Sequence, residues 1–157
     1  MDDVDVGLLA RAVDLARTSR ASGNHPFGAL LAGPDREVLV EAENTVVTER
    51  DCTGHAETNL VRATWRRFDP DFVTRCTLYT STEPCAMCAG AIYWAGIGRV
   101  VFALSEASLR ALTGDDAANP TLALPCREVF SRGQRRITVE GPALEDEVRL
   151  VHAGFWV

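Results

Sequence analysis

The sequence lacks the features that mark membrane, secreted or nucleic-acid-binding proteins. No run of 18 apolar residues could span a bilayer, and the first turn is acidic where a secretion signal would be positively charged. The formal net charge is −6, and the arginines form no extended basic stripe. Since tight nucleic-acid binders gain affinity by neutralising phosphates, a nucleic-acid partner is disfavoured. We therefore expect a cytoplasmic protein that acts on a small molecule.

The cysteines do not fit a disulfide framework. There are five, an odd number, in a chain without a secretion signal. Two of them, Cys85 and Cys88, stand three residues apart, which is a spacing typical of metal ligands. This pair is therefore the first candidate site.

The pattern of apolar residues predicts one α/β domain over residues 1–157. The length and the 46% hydrophobic share suit a single globular core. Helices and strands alternate in the middle of the chain, which indicates parallel strands joined by crossover helices. The turn residues Gly33–Arg36 predict a hairpin between the first two strands. We expect helices over 6–19, 55–67, 85–95 and 144–156, a short helix after Leu104, a loop over 114–125, and strands over 27–32, 37–42, 76–81, 99–103 and 137–140.

Two predicted helices begin with residues that suit a catalytic zinc site. His55 and Glu57 open one helix, and Cys85 and Cys88 open the other. A catalytic zinc site uses three nitrogen or sulfur ligands and leaves a fourth position for water. His55, Cys85 and Cys88 would be the ligands, and Glu57 would exchange protons with the water. The pattern His-x-Glu followed by Pro-Cys-x-x-Cys is shared by zinc-dependent base deaminases.

Other interpretations of these residues explain fewer of them. A histidine or glutamate at a helix start often only caps the helix, and Cys85–Cys88 alone could be a redox pair, but that would leave His55 and Glu57 unused. A structural zinc site would need a fourth protein ligand. His25 and Cys52 are candidates, yet neither has the spacing of a ligand.

The chain resembles the cytidine deaminase-like superfamily, and within it the bacterial guanine deaminases, over about residues 8–118. The resemblance rests on the Gly23–Leu30 run, on Glu43-Asn44, on His55-Ala-Glu57 and on the segment Leu78–Trp94. It implies a three-layer α/β/α sandwich with a mixed, mostly five-stranded sheet, a zinc cofactor and a homodimer. Residues 117–157 would be a family-variable segment near the pocket.

The same resemblance assigns roles around the pocket. Asn44 would contact the base, and Asp116, with Asp115 beside it, would be a second acid that helps to carry protons. As a separate hypothesis, which the resemblance does not supply, the backbone N–H groups of Cys85 and Ala56 would bind the developing oxygen and the base edge. Aromatic side chains stack on heterocycles, so Phe27 and Trp94 are candidates to pack against the base, and Phe155 and Trp156 are candidates to cover it.

These assignments predict hydrolytic deamination of a purine base. Guanine is the first expectation, with xanthine and ammonia as products. Cytosine, cytidine, a modified guanine or a triazine are alternatives, and deamination of a tRNA adenosine is less favoured because of the acidic charge. From another class, an inactive relative could serve as a binding or scaffold protein, but the intact zinc and glutamate set disfavours that role.

Overall fold

A computed structural model of the chain describes residues 1–114, 116–117 and 119–156. A five-stranded mixed sheet has the strand order β2-β1-β3-β4-β5. β1 is antiparallel to both of its neighbours, whereas β3, β4 and β5 are parallel. The prediction of a mixed five-stranded sheet is confirmed. The strands are β1 (Gly28–Ala32), β2 (Val38–Glu43), β3 (Thr77–Thr82), β4 (Arg99–Leu104) and β5 (Thr138–Glu140).

Helices cover both faces of this sheet and complete the three-layer sandwich. One core cluster joins Leu31, Leu78 and Val100 of the sheet to α2, α4 and α6, and the other joins alternate strand residues to α1, α5 and α7. Among the described residues, none of the helices combines the length and hydropathy that crossing a bilayer requires. The helices are α1 (Asp3–Ala21), α2 (Ala56–Trp65), α3 (Pro70–Val73), α4 (Ala86–Ala95), α5 (Glu106–Thr113), α6 (Cys126–Ser131) and α7 (Glu145–His152).

Local sequence explains most element boundaries. The predicted hairpin forms at Gly33–Arg36, where the Arg36 N–H donates to the Gly33 carbonyl oxygen at 3.0 Å. α4 ends at Gly96, whose φ of 78° is the left-handed conformation that glycine favours. Gly28 is required by packing, since a Cβ there would lie 2.5 Å from the Ala16 nitrogen.

Two short helices were not predicted, and the last predicted helix is four residues shorter at its end than expected. α3 begins with Pro70 after the capping residue Asp69, where only a helix end was expected. α6 occupies part of the stretch between the 114–125 loop and β5. The last helix ends at His152 rather than at Trp156. The short helices α3 and α6 have too few turns to show a helical period in the sequence.

The fold brings the chemical groups to one edge of the sheet. β3 and β4 are parallel, so their carboxyl ends lie side by side. Glu83, Pro84 and Cys85 follow β3 directly, and Glu106 begins the helix that follows β4. The start of α2, which packs against α4 on one face of the sheet, lies beside them. The candidate site is built at this edge.

Candidate metal centre

Three side chains converge where two helices begin. His55 is the N-cap residue of α2 and Cys85 is the N-cap residue of α4, and neither side chain caps its own helix. Cys88 lies one turn further along α4 and is buried. Because neither N-cap side chain is used to cap its helix, both remain available to a shared ligand.

The distances between these side chains fit a tetrahedral zinc ion. The Nδ1 of His55 lies 3.6 Å from the Sγ of Cys85 and 3.5 Å from the Sγ of Cys88. A tetrahedral ion with Zn–S of about 2.3 Å and Zn–N of about 2.0–2.1 Å would hold sulfur and nitrogen roughly 3.5 Å apart. The three donor atoms all lie within 4.8 Å of one another, and no other such group occurs among the described residues. His55, Cys85 and Cys88 are the zinc ligands.

The cysteine pair already favours one negative charge at the site. The hydrogen bond with Cys88 is the largest cause that lowers the pKa of Cys85, and the hydrogen bond with His55 contributes less. Together they bring this pKa to about 4, although burial acts in the opposite direction. The pKa of Cys88 is raised, first by its bond to Cys85 and then by burial. A dication bound here would favour thiolate at both positions.

Glu57 is fixed beside the ligands as a buried carboxyl group. It lies in the first turn of α2 and is only 5% exposed. The Thr80 hydroxyl, on β3, donates to its Oε1 at 2.8 Å. Burial, and then the negative charge of Cys85, raise the pKa of Glu57. A carboxyl group with a raised pKa accepts a proton more readily than an exposed one, which suits a group that carries protons in a reaction.

A cavity of about 210 Å³ opens over this centre. Its volume lies below the range of roughly 300–1,000 Å³ that is usual for drug-sized ligands. The cavity therefore suits a small heterocycle. Its walls come from the loop before β1, the start of α2, the end of β3, the helices α4 and α5, and the loop before α6. The lining residues are His25, Phe27, Cys52, His55, Glu57, Thr82, Glu83, Cys85, Met87, Glu106, Leu109, Asn119, Pro120, Thr121 and Leu122.

The residues predicted to contact the substrate lie at different depths. Phe27 is half-buried and lines the cavity. Ala56 is fully buried at the first position of α2, directly after His55. Asn44 is also buried, and its Oδ1 accepts the Val46 N–H at 3.0 Å. The contact of Asn44 with the base and the backbone role of Ala56 stay predictions.

The two predicted acids lie in the loop after α5. Asp116 is half-buried, and its negative charge opposes the lowering of the His25 pKa, which is caused mainly by burial. Asp116 therefore lies near a residue of the cavity wall, and its role in proton transfer stays a prediction. Asp115 lies outside the described residues.

The aromatic predictions divide into two outcomes. Trp94 is 74% exposed on α4 and does not line the cavity, so its assignment as a base-stacking residue is wrong for this chain. Its position faces outward because the opposite side of α4 carries the buried Ile92 and Cys88. Trp156 packs against Phe27 at 6.2 Å and His25 at 5.5 Å between ring centroids.

The C-terminal aromatic pair therefore lies behind the cavity wall. Phe155 contacts Trp156 at 4.7 Å and His25 at 6.0 Å between ring centroids. Both rings touch residues that line the cavity. Their role as a cover over the substrate stays a prediction.

Sequence reasoning missed two buried acids and one wall of the cavity. Glu83 is 7% exposed and accepts the N–H groups of Glu106 and Cys126, both at 3.1 Å, which ties the starts of α5 and α6 to the metal centre. Glu106 is also 7% exposed, and burial and then the charge of Cys85 raise its pKa to about 7. The position of Glu106, directly past the end of a parallel strand, was the available signal. The loop 119–122 offered no signal of this kind.

Comparison with known proteins identifies the family. The profile of the "Cytidine and deoxycytidylate deaminase zinc-binding region" matches residues 3–104. A probable cytosine deaminase of Schizosaccharomyces pombe is 40% identical over 157 residues, covering 99% of this chain and 94% of that protein. The guanine deaminase of Bacillus subtilis is 38% identical over 110 residues, covering 69% and 70% of the two chains.

The fold is shared with solved deaminase structures. The structure of a guanine deaminase from Nitrosomonas europaea superposes with a TM-score of 0.73 at 24% identity, covering 92% of this chain and 80% of that one. The superfamily and the fold predicted from the sequence are thus confirmed. With its three ligands and Glu57 in place, the chain belongs to the cytidine and deoxycytidylate deaminase zinc-binding family and is a zinc-dependent nucleobase deaminase.

Proposed function

We propose that this enzyme deaminates a free aminopyrimidine, converting cytosine and water to uracil and ammonia. The similarity to the probable cytosine deaminase extends over 99% of the chain, so it includes the cavity wall at 119–122. The similarity to the Bacillus guanine deaminase leaves about a third of the chain unmatched. This difference in coverage carries the proposal, and it favours cytosine over the guanine expected from the motifs.

The size of the cavity supports a free base. A volume of about 210 Å³ is small for a base that carries a sugar and phosphates. In addition, none of the residues that line the cavity is a lysine or arginine that could hold a phosphate. A nucleotide would therefore lack both space and a cationic partner among the described lining residues.

Glu57 performs the proton transfers of the reaction. Zinc held by His55, Cys85 and Cys88 would supply Lewis acidity that makes a water molecule a better nucleophile. Glu57 takes one proton from this water as its oxygen adds to the carbon that bears the amine, and delivers the proton to the adjacent ring nitrogen. It then moves the second proton from the new hydroxyl group to the amine. The carbon–nitrogen bond breaks, ammonia leaves, and a carbonyl group remains.

The surroundings of Glu57 suit this work. The Thr80 hydroxyl donates to one carboxylate oxygen of Glu57 at 2.8 Å and so holds the carboxyl group in place beside the cavity. Burial raises the pKa of Glu57, so the group binds a proton more readily than an exposed glutamate does. Because the cavity is small, the water and the ring nitrogen lie close together, and the same carboxyl group can exchange protons with both.

Guanine is the second candidate, with xanthine as its product. The 38% identity to the Bacillus guanine deaminase favours it, as does the acid at Asp116 that the motif resemblance predicts. Guanine is larger than cytosine, so it would need more of the space bounded by Leu122 and Leu109.

Ammonia release from a panel of bases tests the proposal. Purified zinc-loaded protein is incubated with cytosine, guanine, adenine, cytidine and an aminated triazine, with the Glu57→Gln variant as the blank. We expect the fastest release from cytosine and little from cytidine. Fastest release from guanine would replace the proposal with the second candidate, and equal rates on cytosine and cytidine would refute the free-base assignment.

A further inference from the structure

Three glutamates line the cavity, and Glu106 differs from Glu57 and Glu83 in its partners. Glu57 accepts a hydrogen bond from Thr80. Glu106 is 7% exposed and lines the same cavity, yet in the part of the chain that the structure describes no N–H or O–H group donates to its carboxyl oxygens. Ion pairs among the described residues do not include it either.

The fold fixes the position of Glu106. Its backbone N–H donates to the Glu83 carboxylate at 3.1 Å, at the first position of α5. The preceding residue, Ser105, caps the helix by accepting the Ser108 N–H at 3.1 Å. These two bonds hold the first turn of α5 against the end of β3. The Glu106 side chain is therefore held at the cavity by the main chain and is not a mobile surface group.

The carboxyl oxygens of Glu106 open onto the cavity, since they are not among the described side-chain atoms that are both buried and without a hydrogen-bond partner. A ligand that covers these oxygens must donate a hydrogen bond to them, because burying a carboxyl group without a donor costs free energy. The exposed acceptor therefore indicates a ligand group with an N–H or O–H donor. Apolar Leu109, one turn further along α5, lines the same wall and offers no alternative partner.

The position of Glu106 indicates which part of the ligand it meets. Glu106 lines the same cavity as Glu57 and Cys85, and its N–H is bonded to Glu83, two residues before Cys85, so it lies at the reacting end of the cavity. Glu57 serves the attacking water and the ring nitrogen. The remaining group at that end of an aminated base is the amine itself, which offers two N–H donors.

We propose that the Glu106 carboxyl group accepts a hydrogen bond from the amino group that leaves the base, and so selects aminated rings. The inference rests on the proposed function only in taking a free aminated base as substrate. It holds for cytosine and for guanine alike, because both carry such an amine at the reacting carbon.

Ligand binding without turnover tests this role. The Glu57→Gln variant provides a background that does not consume the base, and Glu106→Leu, which removes the hydrogen-bond acceptor, is added to it. Calorimetry then gives Kd for cytosine and for pyrimidin-2-one, the same ring without the amine. We expect Kd for cytosine to rise about 10-fold or more, the loss typical of a hydrogen bond to a charged group, and Kd for pyrimidin-2-one to change less than about twofold.

Two controls separate binding from folding. Glu128→Leu makes the same change at an exposed glutamate in the first turn of α6 and should alter neither Kd. The melting temperature of Glu106→Leu should equal or exceed that of wild type, since an apolar side chain replaces an acid whose carboxyl group has no hydrogen bond or ion pair with the described residues. Unchanged Kd for both rings, an equal rise for both, or a fall in melting temperature would each overturn the proposal.

The outcome does not depend on cytosine being the substrate. If the enzyme binds guanine and not cytosine, the two ligands to compare are guanine, which carries the reacting amine, and hypoxanthine, the same ring without it. A selective loss of guanine affinity would then support Glu106 as the amine partner while the cytosine assignment fails.

Discussion

The two halves of the molecule contribute to the site in different ways. In residues 3–104 the chemical groups are placed by their own helices, since His55 and Cys85 are N-cap residues and Cys88 lies one turn beyond. In residues 105–156 the groups reach the cavity through long-range contacts. The Glu83 carboxylate, for example, holds the N–H groups at the starts of α5 and α6. The positions of the catalytic groups are therefore set by residues close together in sequence. The shape of the cavity that selects the base is set by contacts between residues far apart in sequence.

The largest expected effect falls on the metal ligands of the first half. Cys88→Ala should lose zinc and all measurable activity, because the two remaining ligands hold zinc poorly. Metal analysis of the purified variant, together with its ammonia release, provides the measurement. Cys76→Ala, which changes a buried cysteine outside the site, should keep its zinc. Full zinc occupancy in Cys88→Ala would contradict the ligand assignment.

The next effect falls on the proton carrier. Glu57→Gln should keep the fold and about one zinc per chain but lose ~10²–10⁴-fold in kcat, since the amide cannot accept and release protons. Steady-state kinetics and metal analysis on the same sample check both parts. Retention of a tenth of the wild-type rate would refute the proton-carrying role of Glu57.

A smaller effect is expected from the end of the second half. Deleting residues 154–157 removes the two rings that pack behind His25 and Phe27, so KM should rise by more than the loss of stability explains. The comparison is between the change in KM and the change in melting temperature. A large fall in melting temperature with an unchanged KM would show that Phe155 and Trp156 only anchor the last helix.

The smallest effect concerns stability in mildly acidic solution. His152 is 2% exposed, and its Nδ1 accepts the Trp156 indole N–H at 2.9 Å. Burial, and then the charge of Arg20, lower the pKa of His152 to about 4. The unfolded chain binds a proton at this histidine below pH ~6.5 but the folded chain does not, so stability falls as the pH drops from ~6.5 towards ~4.

A substitution isolates this contribution. His152→Gln removes the group that titrates. The free energy of unfolding of wild type minus that of the variant should therefore decrease by up to about 3 kcal/mol as the pH is lowered from 7 to 4. Denaturant titrations at several pH values measure the difference. A difference that does not depend on pH would show that His152 binds its proton equally in both states.

The sequence predicted the first half of the site well because its signals are local. His55, Glu57, Cys85 and Cys88 stand at fixed spacings at two helix starts, and such spacings are visible without a structure. The hairpin and the parallel β3–β4 pair followed from turn residues and apolar periodicity in the same way.

The second half was harder to predict because its contacts are distant in sequence. Glu106 meets Glu83 across 23 residues, and the loop 119–122 reaches the cavity without any apolar period. Trp94 was misplaced because an aromatic residue in a helix can face either way, and its neighbours Ile92 and Cys88 occupy the buried side. Composition alone does not distinguish these arrangements.

The central claim is that the cavity formed with the C-terminal half selects a pyrimidine over a purine. The ratio of kcat/KM for cytosine to kcat/KM for guanine tests this claim most directly, because it measures that selection. The measurement uses zinc-loaded wild-type protein, follows ammonia release for both bases under the same conditions, and subtracts the Glu57→Gln blank. We predict a ratio of about 10 or more in favour of cytosine, the discrimination that a cavity shaped for the smaller ring can supply. A ratio of one or below would contradict the assignment and identify a purine as the substrate.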